Sequence, residues 1–469
     1  MSSYSKNGRE RIVKKNTKLK YVVAGLLIAT FLTAIEGTIV STAMPKIVGD
    51  LGGSHLYTWV ISVYLLATVI STPIFGKMAD LYGRKRMFTI GVLIFLVGSV
   101  LSGLSQSMHQ LVVYRIIQGL GAGALTTIPM TIIGDVFTYE MRAKIQGLIS
   151  SVWGISGILG PLVGGFIVDS ISWHWIFFMN LPFGIISLIL IAISLHEHME
   201  KKKRTIDYAG ILTFAVCMTS FLYALNLWKE ERQLTGNMMI MFALALVSLL
   251  LFIWIESKGK EPMLPLSLFK NQLIVVSNIA GFLIGFILIA VTFYIPLWVQ
   301  GVTGLNATLS GIAMLPQSLT WPLGALLVGK WVRKMVVGQI ALVGMVFIII
   351  GCIGMSLLQT GTSLPWMMLI TAILGLGFGL STTLFTVVVQ SSVGWNMRGA
   401  AMGSNNLFRT LGQTIGIAVS GLWLSDQLQG VELEASLHQV FILLIVLAGL
   451  GFAVTATLLG EKGRGLSTE

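Results

Sequence analysis

One carboxylate, Glu36, lies deep in the first membrane-length apolar run of the chain, residues 21–43. An ionisable side chain in hydrocarbon is costly, and its default reading is functional: a proton site, an ion site or a substrate counter-ion. A second ionisable group, Arg115, sits in the fourth apolar run. At 1.5 Å per residue, with helix 1 leaving the membrane near Ala43 and helix 4 entering near Gln110, the two groups lie about 10 Å and about 8 Å from the same membrane face. A nearby cation favours the ionised carboxylate, and desolvation or a lipophilic ligand favours the protonated one. Alternation between such surroundings lets one carboxylate load and release a proton. A static ion pair holding helices 1 and 4 together is the plainer reading of the same residues.

The elements that position these groups are membrane helices. Hydrophobic residues make up 55% of the chain and charged residues only 11%, with a mean hydropathy of +0.85, far from the average of a soluble globular protein. Fourteen apolar runs of about 20 residues recur along it, each long enough to cross a bilayer. The first is too long for a cleavable signal peptide, and no small-residue cleavage site accompanies it. Cys217 and Cys352 both fall inside apolar runs, which speaks against a disulfide framework or a metal cluster.

A net charge of +12 would suit nucleic acid, but its distribution excludes that partner. With the N-terminus inside, 26 of the 31 lysines and arginines fall in inward segments, and only Lys46, Lys229 and Arg232 fall outward. This is the positive-inside rule, and it predicts both termini in the cytoplasm. The basic surplus then faces anionic lipid headgroups.

The chain also repeats itself. Met141-Arg142 opens MRAKIQGLISSVWGISGILGPLVGG, and 256 residues later Met397-Arg398 opens MRGAAMGSNNLFRTLGQTIGIAVSG. At the same offset Gly119, Gly121 and Gly123 match Gly375, Gly377 and Gly379. Six helices from each copy leave two over, so the expected architecture is 6 + 2 + 6. The divisions are a tail at 1–20, a six-helix half at 21–198, a linker with an inserted hairpin at 199–260, a second half at 261–459, and a tail at 460–469. Parallel six-helix halves are a transporter device, with the substrate site between them near the midplane.

Four motifs then stand in order. Gly76-Lys-Met-Ala-Asp80-Leu-Tyr-Gly83-Arg84-Lys85-Arg86 between helices 2 and 3 resembles the signature loop of the major facilitator superfamily. Leu111-x-x-x-Arg115-x-x-Gln118-Gly119 is similar to its second motif. Gly154-x-x-Gly157-x-x-Gly160-Pro161-x-x-Gly164-Gly165 looks like the motif of its antiporters. Trp173-His-Trp175-Ile-Phe-Phe-Met-Asn180-Leu-Pro182, with Glu36-Gly-Thr38, resembles marks of the fourteen-helix drug:proton antiporters. The resemblance covers essentially the whole chain. It implies an all-α major facilitator in a bacterial cell membrane, a monomer that exports amphiphilic drugs in exchange for protons and needs no other cofactor. Related antiporters usually carry aspartate where this chain has Glu36.

The motifs also have local physics. Asp80 and Arg84 are spaced to pair along a helical turn, and Asp135, Glu140 and Arg142 close the neighbouring loop. Together they suggest a charge latch that holds one conformation; a loop that is basic only for topology is the alternative. Gly157, Gly160, Gly164 and Gly165 thin helix 5 for close helix approach, and Pro161 removes a hydrogen bond mid-helix. A rocking interface and plain tight packing both fit.

Helices 9 to 14 hold no embedded acid, which argues against dicationic substrates and leaves monocationic, zwitterionic and neutral amphiphiles. Asn278, Gln300, Gln317, Asn405, Asn406, Arg409 and Gln413 would offer hydrogen bonds to them, as would Gln118. Trp59, Tyr64, Trp153, Trp298 and Trp321 would stack on flat ligands, although interfacial anchoring explains each aromatic equally simply. A lipid or glycolipid flippase of the same fold is the alternative function. An intramembrane enzyme would need a nucleophile–base pair or metal cluster within the spans, and the sequence offers neither.

Overall fold

The computed structural model describes residues 18–460 apart from positions 138, 198–206, 232, 260–261, 263, 333, 395–396 and 426. Both tails and the basic lead-in at 201–204 therefore fall wholly or largely outside the described residues. The chain folds into α1 (Leu19–Leu51), α2 (Tyr57–Tyr82), α3 (Arg84–Gly103), α4 (Met108–Val136), α5 (Tyr139–Ser170), a short α6 (Trp175–Phe178) leading into α7 (Asn180–Ser194), α8 (Tyr208–Glu231), α9 (Gly236–Lys258), α10 (Gln272–Leu297), α11 (Ala307–Trp331), α12 (Val337–Ser356), α13 (Leu364–Ser391), α14 (Arg398–Ser420) and α15 (Gly430–Ala456). Helices α6 and α7 make one span, so fourteen spans result. Thirteen are long and apolar enough to cross a membrane on composition alone. The fourteenth, α14, is long enough but too polar to qualify.

Helix 1 runs eight residues past the end expected from hydropathy. It carries Pro45 within it and stops only at Gly52, whose φ of 68° an ordinary side chain adopts rarely. The segment 44–51 contains Lys46 and Asp50, paired at 3.4 Å as an i,i+4 salt bridge. Hydropathy ends the helix where charge begins, but the backbone continues because local side-chain pairing suits a helix. Glu36 accordingly sits about 22 Å from this helix end at 1.5 Å per residue.

The repeated glycines pack in the same way in both copies. A methyl group on Gly121 would collide with the Phe95 backbone of α3, and one on Gly119 or Gly123 would strike α2. In the second copy, Gly377 lies against Ile348 and the Gly344 carbonyl of α12, while Gly375 and Gly379 lie against α11. Glycines two residues apart thus face opposite neighbours, and α4 and α13 are each wedged between two helices at backbone contact. Close approach of this kind is how membrane helices associate, because lipid provides no hydrophobic drive between them.

The pairs α1·α5 and α10·α14 also correspond. Gly160 and Gly164 of α5 meet Thr38, Ile39 and Thr42 of α1, and Gly412 and Gly416 of α14 meet Phe282 and Phe286 of α10. The extra pair α8–α9 lies beside the α2/α14 seam. There Phe214 and Phe252 form an apolar cluster with Val69 and Ile70 of α2 and with Leu407 and Leu411 of α14. Trp59 Nε1 donates to Asn226 Oδ1 of α8 at 2.6 Å.

A matched pair of substitutions checks the wedge. Gly121→Ala forces a methyl into the α3 backbone and should destabilise by about 1–3 kcal/mol, the usual cost of overpacking. Gly449→Ala on α15 meets open space and should be neutral or slightly stabilising. Thermal unfolding of both variants in detergent compares them directly.

Candidate functional site

Glu36 and Arg115 meet. The guanidinium Nη1 donates to Glu36 Oε1, and the two side chains are 0% and 2% exposed. The same nitrogen donates to Gln118 Oε1 at 2.7 Å, and Nε donates to the Val60 carbonyl of α2 at 3.3 Å. Asn180, at the start of α7, donates from Nδ2 to Glu36 Oε2 at 2.9 Å and to Ser99 Oγ at 2.9 Å. Gln118 Nε2 reaches the same Ser99 hydroxyl at 3.3 Å. Tyr64 lays its ring 4.1 Å below the guanidinium carbon, and Phe177 lies at 5.9 Å.

The local sequence explains each placement. Gly98 has no side chain where the Gln118 backbone passes, so α3 approaches α4 and Ser99 reaches Gln118. The break between α6 and α7 at Met179 turns Asn180 inward. Five spans thus converge on one carboxylate. Each polar group in the cluster has a partner, as burial in low dielectric demands. Tyr64 and Gln118, expected at the substrate, belong to this network instead.

Asn180 was quoted in a motif but given no role from sequence. Its neighbour Ser99 carried no sequence signal at all, since a lone serine in an apolar helix is common.

The charge cluster forms on the side where the termini lie. Arg84 donates from Nη2 to Asp80 Oδ1 at 2.8 Å, and its Nε lies 2.8 Å from Asp135 Oδ2. Glu197 joins it, with Oε1 at 3.8 Å from Arg84 Nε and both oxygens accepting the Arg84 and Lys85 backbone N–H groups at 3.1 and 3.2 Å. Glu197 therefore caps the start of α3, where an anion is favoured. Sequence reading passed it over because it follows helix 6, far from the signature loop. The side chains of Glu140 and Arg142 lie outside the described residues.

The glycines of α5 divide between two neighbours. Gly160 and Gly164 face α1, whereas Gly157 and Gly165 face Ser318 and Ala307 of α11, and the Pro161 carbonyl lies against Gly311. Pro161 has no N–H, so the Gly157 carbonyl four residues earlier loses its helical partner. Ser318 Oγ of α11 supplies one from across the interface at 2.6 Å. Further bonds link the bundles toward the face away from the termini. Asp169 accepts from the Ala307 N–H at 3.3 Å, from the Thr308 N–H at 2.8 Å and from the Thr308 hydroxyl at 2.6 Å. Gln300, in a π-helical turn at Trp298–Val302, donates to the Thr42 carbonyl at 2.9 Å. Tyr57 donates to the Phe293 carbonyl at 3.3 Å. These hydrogen bonds between the two bundles lie between that face and mid-membrane. A cavity of about 760 Å³ opens above them, lined by Asp50, Asp169, Gln300 and Asn306 among others. At the terminal face, Gly329, Gly399 and Gly403 meet open space.

The expected aromatic platforms fare unevenly. Trp298 is fully buried against His438 and Phe441, so it is a core residue in this conformation. Trp59 is held by Asn226 at the α8 seam. Trp321 is half-buried with its ring 5.7 Å from Phe378. Trp153 is exposed. Gln317 is buried with Oε1 unpartnered, and Asn405 donates to Ser277 and Asn278 of α10. Asn406 is exposed and accepts from Arg409 Nη2 at 2.8 Å.

Comparison with known proteins places the chain among transporters. A family model described as Major Facilitator Superfamily matches residues 26–417. The chain is 38% identical to the Multidrug transporter protein MdtP of Bacillus subtilis strain 168, over 87% of its own length and 75% of that protein. It is 36% identical to Multidrug resistance protein 3 of the same strain, over 87% and 80%. To the Multidrug efflux pump SdrM of Staphylococcus aureus strain N315 it is 31% identical, over 85% and 88%. Two solved structures share the fold at low identity. A peptide transporter POT bound to sulfate aligns with a TM-score of 0.69 at 15% identity, over 94% of this chain and 95% of that one. A D-xylose–proton symporter aligns at 0.64 and 16%, over 96% and 98%.

The buried pair has a signature of its own in stability. Removing one partner leaves an uncompensated charge, so Arg115→Ala should cost about 3–5 kcal/mol. Removing both, as Glu36→Ala with Arg115→Ala, should cost clearly less than the two single losses added together. Unfolding midpoints of the two single variants and the double variant in detergent complete the cycle.

Proposed function

This chain belongs to the Major Facilitator Superfamily, and from that premise we propose that it is a multidrug efflux transporter, exporting amphiphilic compounds in exchange for protons by alternating access. The relatives named as multidrug transporters support the export reading, since their similarity extends over most of the chain. The observation that carries the coupling is the burial of Glu36 against Arg115 and Asn180.

In this reading Glu36 is the proton carrier. While Arg115 faces it, the carboxylate is paired with the guanidinium and with the Asn180 amide. A small rotation of α4 against α1 would withdraw the guanidinium, and the desolvated carboxylate would then take a proton. Arg115 remains solvated by Gln118, the Val60 carbonyl and the Tyr64 ring, so the switch does not strand a bare cation.

Alternating access would use the two ends of the molecule in turn. The bonds of Asp169, Gln300, Tyr57 and Ser318 would close one side while the other side parts. Arg84 with Asp80, Asp135 and Glu197 would act as the latch within one bundle, with Arg142 nearby in sequence. Pro161 and the α5 glycines would be the sliding surface, because they bring the α5 and α11 backbones together with few side chains interlocked between them. With both termini cytoplasmic, the parted side admits substrate from the cell. Substrates would be monocationic, zwitterionic or neutral amphiphiles, the protein would work as a monomer, and protons would be its only coupling ion.

Ethidium export driven by a proton gradient in inverted vesicles tests this reading. Wild type should export the dye, and Glu36→Gln should lose gradient-driven export while still binding ethidium. Undiminished gradient-driven export in Glu36→Gln would remove Glu36 from the coupling step.

A further inference from the structure

Helix α14 is the one span among the fourteen that composition alone does not identify as membrane-crossing, and its polar residues are not spread evenly. At about 100° per residue, Asn406, Arg409, Thr410 and Gln413 share one face at spacings of three and four. One flank is taken by α10: Asn405 bonds Ser277 and Asn278, Ser404 accepts from Asn278, and Gly412 and Gly416 touch Phe282 and Phe286. The other flank is apolar, with Leu407 and Leu411 against Phe214 of α8 and Phe252 of α9. The polar strip is the face left between those two flanks.

Arg409 stands eleven residues into α14 from Arg398, about 16 Å, close to the middle of a hydrocarbon core of about 30 Å. A guanidinium at this depth must find acceptors. Among the described residues no carboxylate pairs with it, and Nη2 donates to Asn406 Oδ1 at 2.8 Å. The acid of the neighbouring bundle, Glu36, is already engaged by Arg115 and Asn180. Arg409 is only half-buried and Asn406 is exposed, so the remaining N–H donors face open space. A planar guanidinium with donors to spare, flanked by the amides of Asn406 and Gln413, matches an oxyanion in two-point geometry; the Thr410 hydroxyl donates to the Asn406 carbonyl at 2.9 Å and would have to turn to join them.

We propose that Arg409, with Asn406, Thr410 and Gln413, forms an oxyanion site that binds the carboxylate, sulfonate or phosphate of an amphiphilic ligand. The inference rests on the efflux reading above and deepens it, because it sets a preference within the substrate range for acid-bearing amphiphiles over purely cationic ones. The oxyanion has two sources, a drug-like zwitterion or a lipid headgroup.

The test uses the full chain in nanodiscs of zwitterionic lipid and two dyes that differ at one group. Rhodamine 110 carries a free carboxylate, and rhodamine 123 is its methyl ester. Fluorescence anisotropy should show wild type favouring the acid over the ester by about tenfold or more, as a charge-assisted hydrogen-bond pair provides. Arg409→Gln should bring that ratio to about twofold or less, and Arg409→Lys, which keeps the charge but not the fork, should fall between. A second arm adds short-chain phosphatidylglycerol. If it displaces the acid in wild type but not in Arg409→Gln, the site also accepts lipid phosphate. If the dyes show no preference yet the lipid binds in an Arg409-dependent way, the headgroup is the source.

Dye binding with no Arg409-dependent preference for either oxyanion would overturn the site and leave the efflux reading standing. Binding of neither dye would overturn the efflux reading, and the lipid arm would then decide Arg409 alone.

Discussion

Helices in lipid gain nothing from hiding oil against oil, so this fold depends on how closely backbones can approach. The chain meets that constraint with glycines set two apart on α4 and α13. Each set brings two neighbours to backbone contact at once, and it does so identically in the two copies of the repeat. The same approach is what lets polar groups meet in the interior. With α3 held off α4 by even one methyl at Gly98, Ser99 would no longer reach Gln118, and Asn180 would lose the hydroxyl that steadies it beside Glu36. Packing and chemistry are therefore one problem here. The small residues that stabilise the bundle also set the hydrogen-bond distances of Glu36.

Within that frame the two halves have diverged in charge. The first keeps an acid and a base together and surrounds them with amides, a hydroxyl and an aromatic ring. The second has no acid in its spans at the corresponding depth, and its arginine faces outward from its own bundle. A closed ion pair is inert toward ligands unless it is opened, whereas an arginine with vacant donors is receptive as it stands. Helix 5 differs in the same direction, with Pro161 and Gly164 where the second copy has Ile417 and Ser420. The duplicated scaffold has thus been specialised, one half around a carboxylate with a proline-interrupted helix beside it and the other around a polar strip.

Much of this was legible in the sequence because membrane folding leaves periodic marks. Span number, the repeat and the Glu36–Arg115 pairing all follow from hydropathy, offset and depth, since buried ionisable residues in lipid must find each other. Legibility ended where partners come from distant spans without a charge of their own. Ser99, Asn180 and Ser318 look like ordinary small polar residues, and only the folded contacts reveal what they satisfy. Glu197 was missed for a related reason: a carboxylate at a helix end reads as a topological charge until its partner is seen to be the start of α3. Hydropathy also shortened α1, because it measures where lipid stops and not where the helix does. The aromatic platforms were the weakest reading. A tryptophan's bulk suits core, interface and ligand alike, and Trp298 went to the core.

The interface between the bundles is built for reversal. Its bonds are few, and those of Tyr57, Gln300 and Ser318 join a neutral side chain to a backbone carbonyl, worth about 0.5–1.5 kcal/mol each in net terms. The Asp169 contacts with Ala307 and Thr308 are charge-assisted and stronger, but they lie beside the water-accessible cavity at the edge. The three neutral bonds together contribute only about 1.5–4.5 kcal/mol. Swinging a two-state equilibrium from one side to the other takes about 5.5 kcal/mol of differential binding, a comparable amount. Apolar contact adds to these bonds, since one buried cluster runs from Ile39, Met44 and Tyr57 of the first bundle to Ile287, Val291 and Tyr294 of the second. Ser318 shows the principle at a single atom: the carbonyl it satisfies is exposed by a proline, so the bond exists only while the bundles touch, and its loss leaves an acceptor that water in the opened cleft can take over. The polar part of the seal costs little to break because the groups it pairs are ones that water can serve as well.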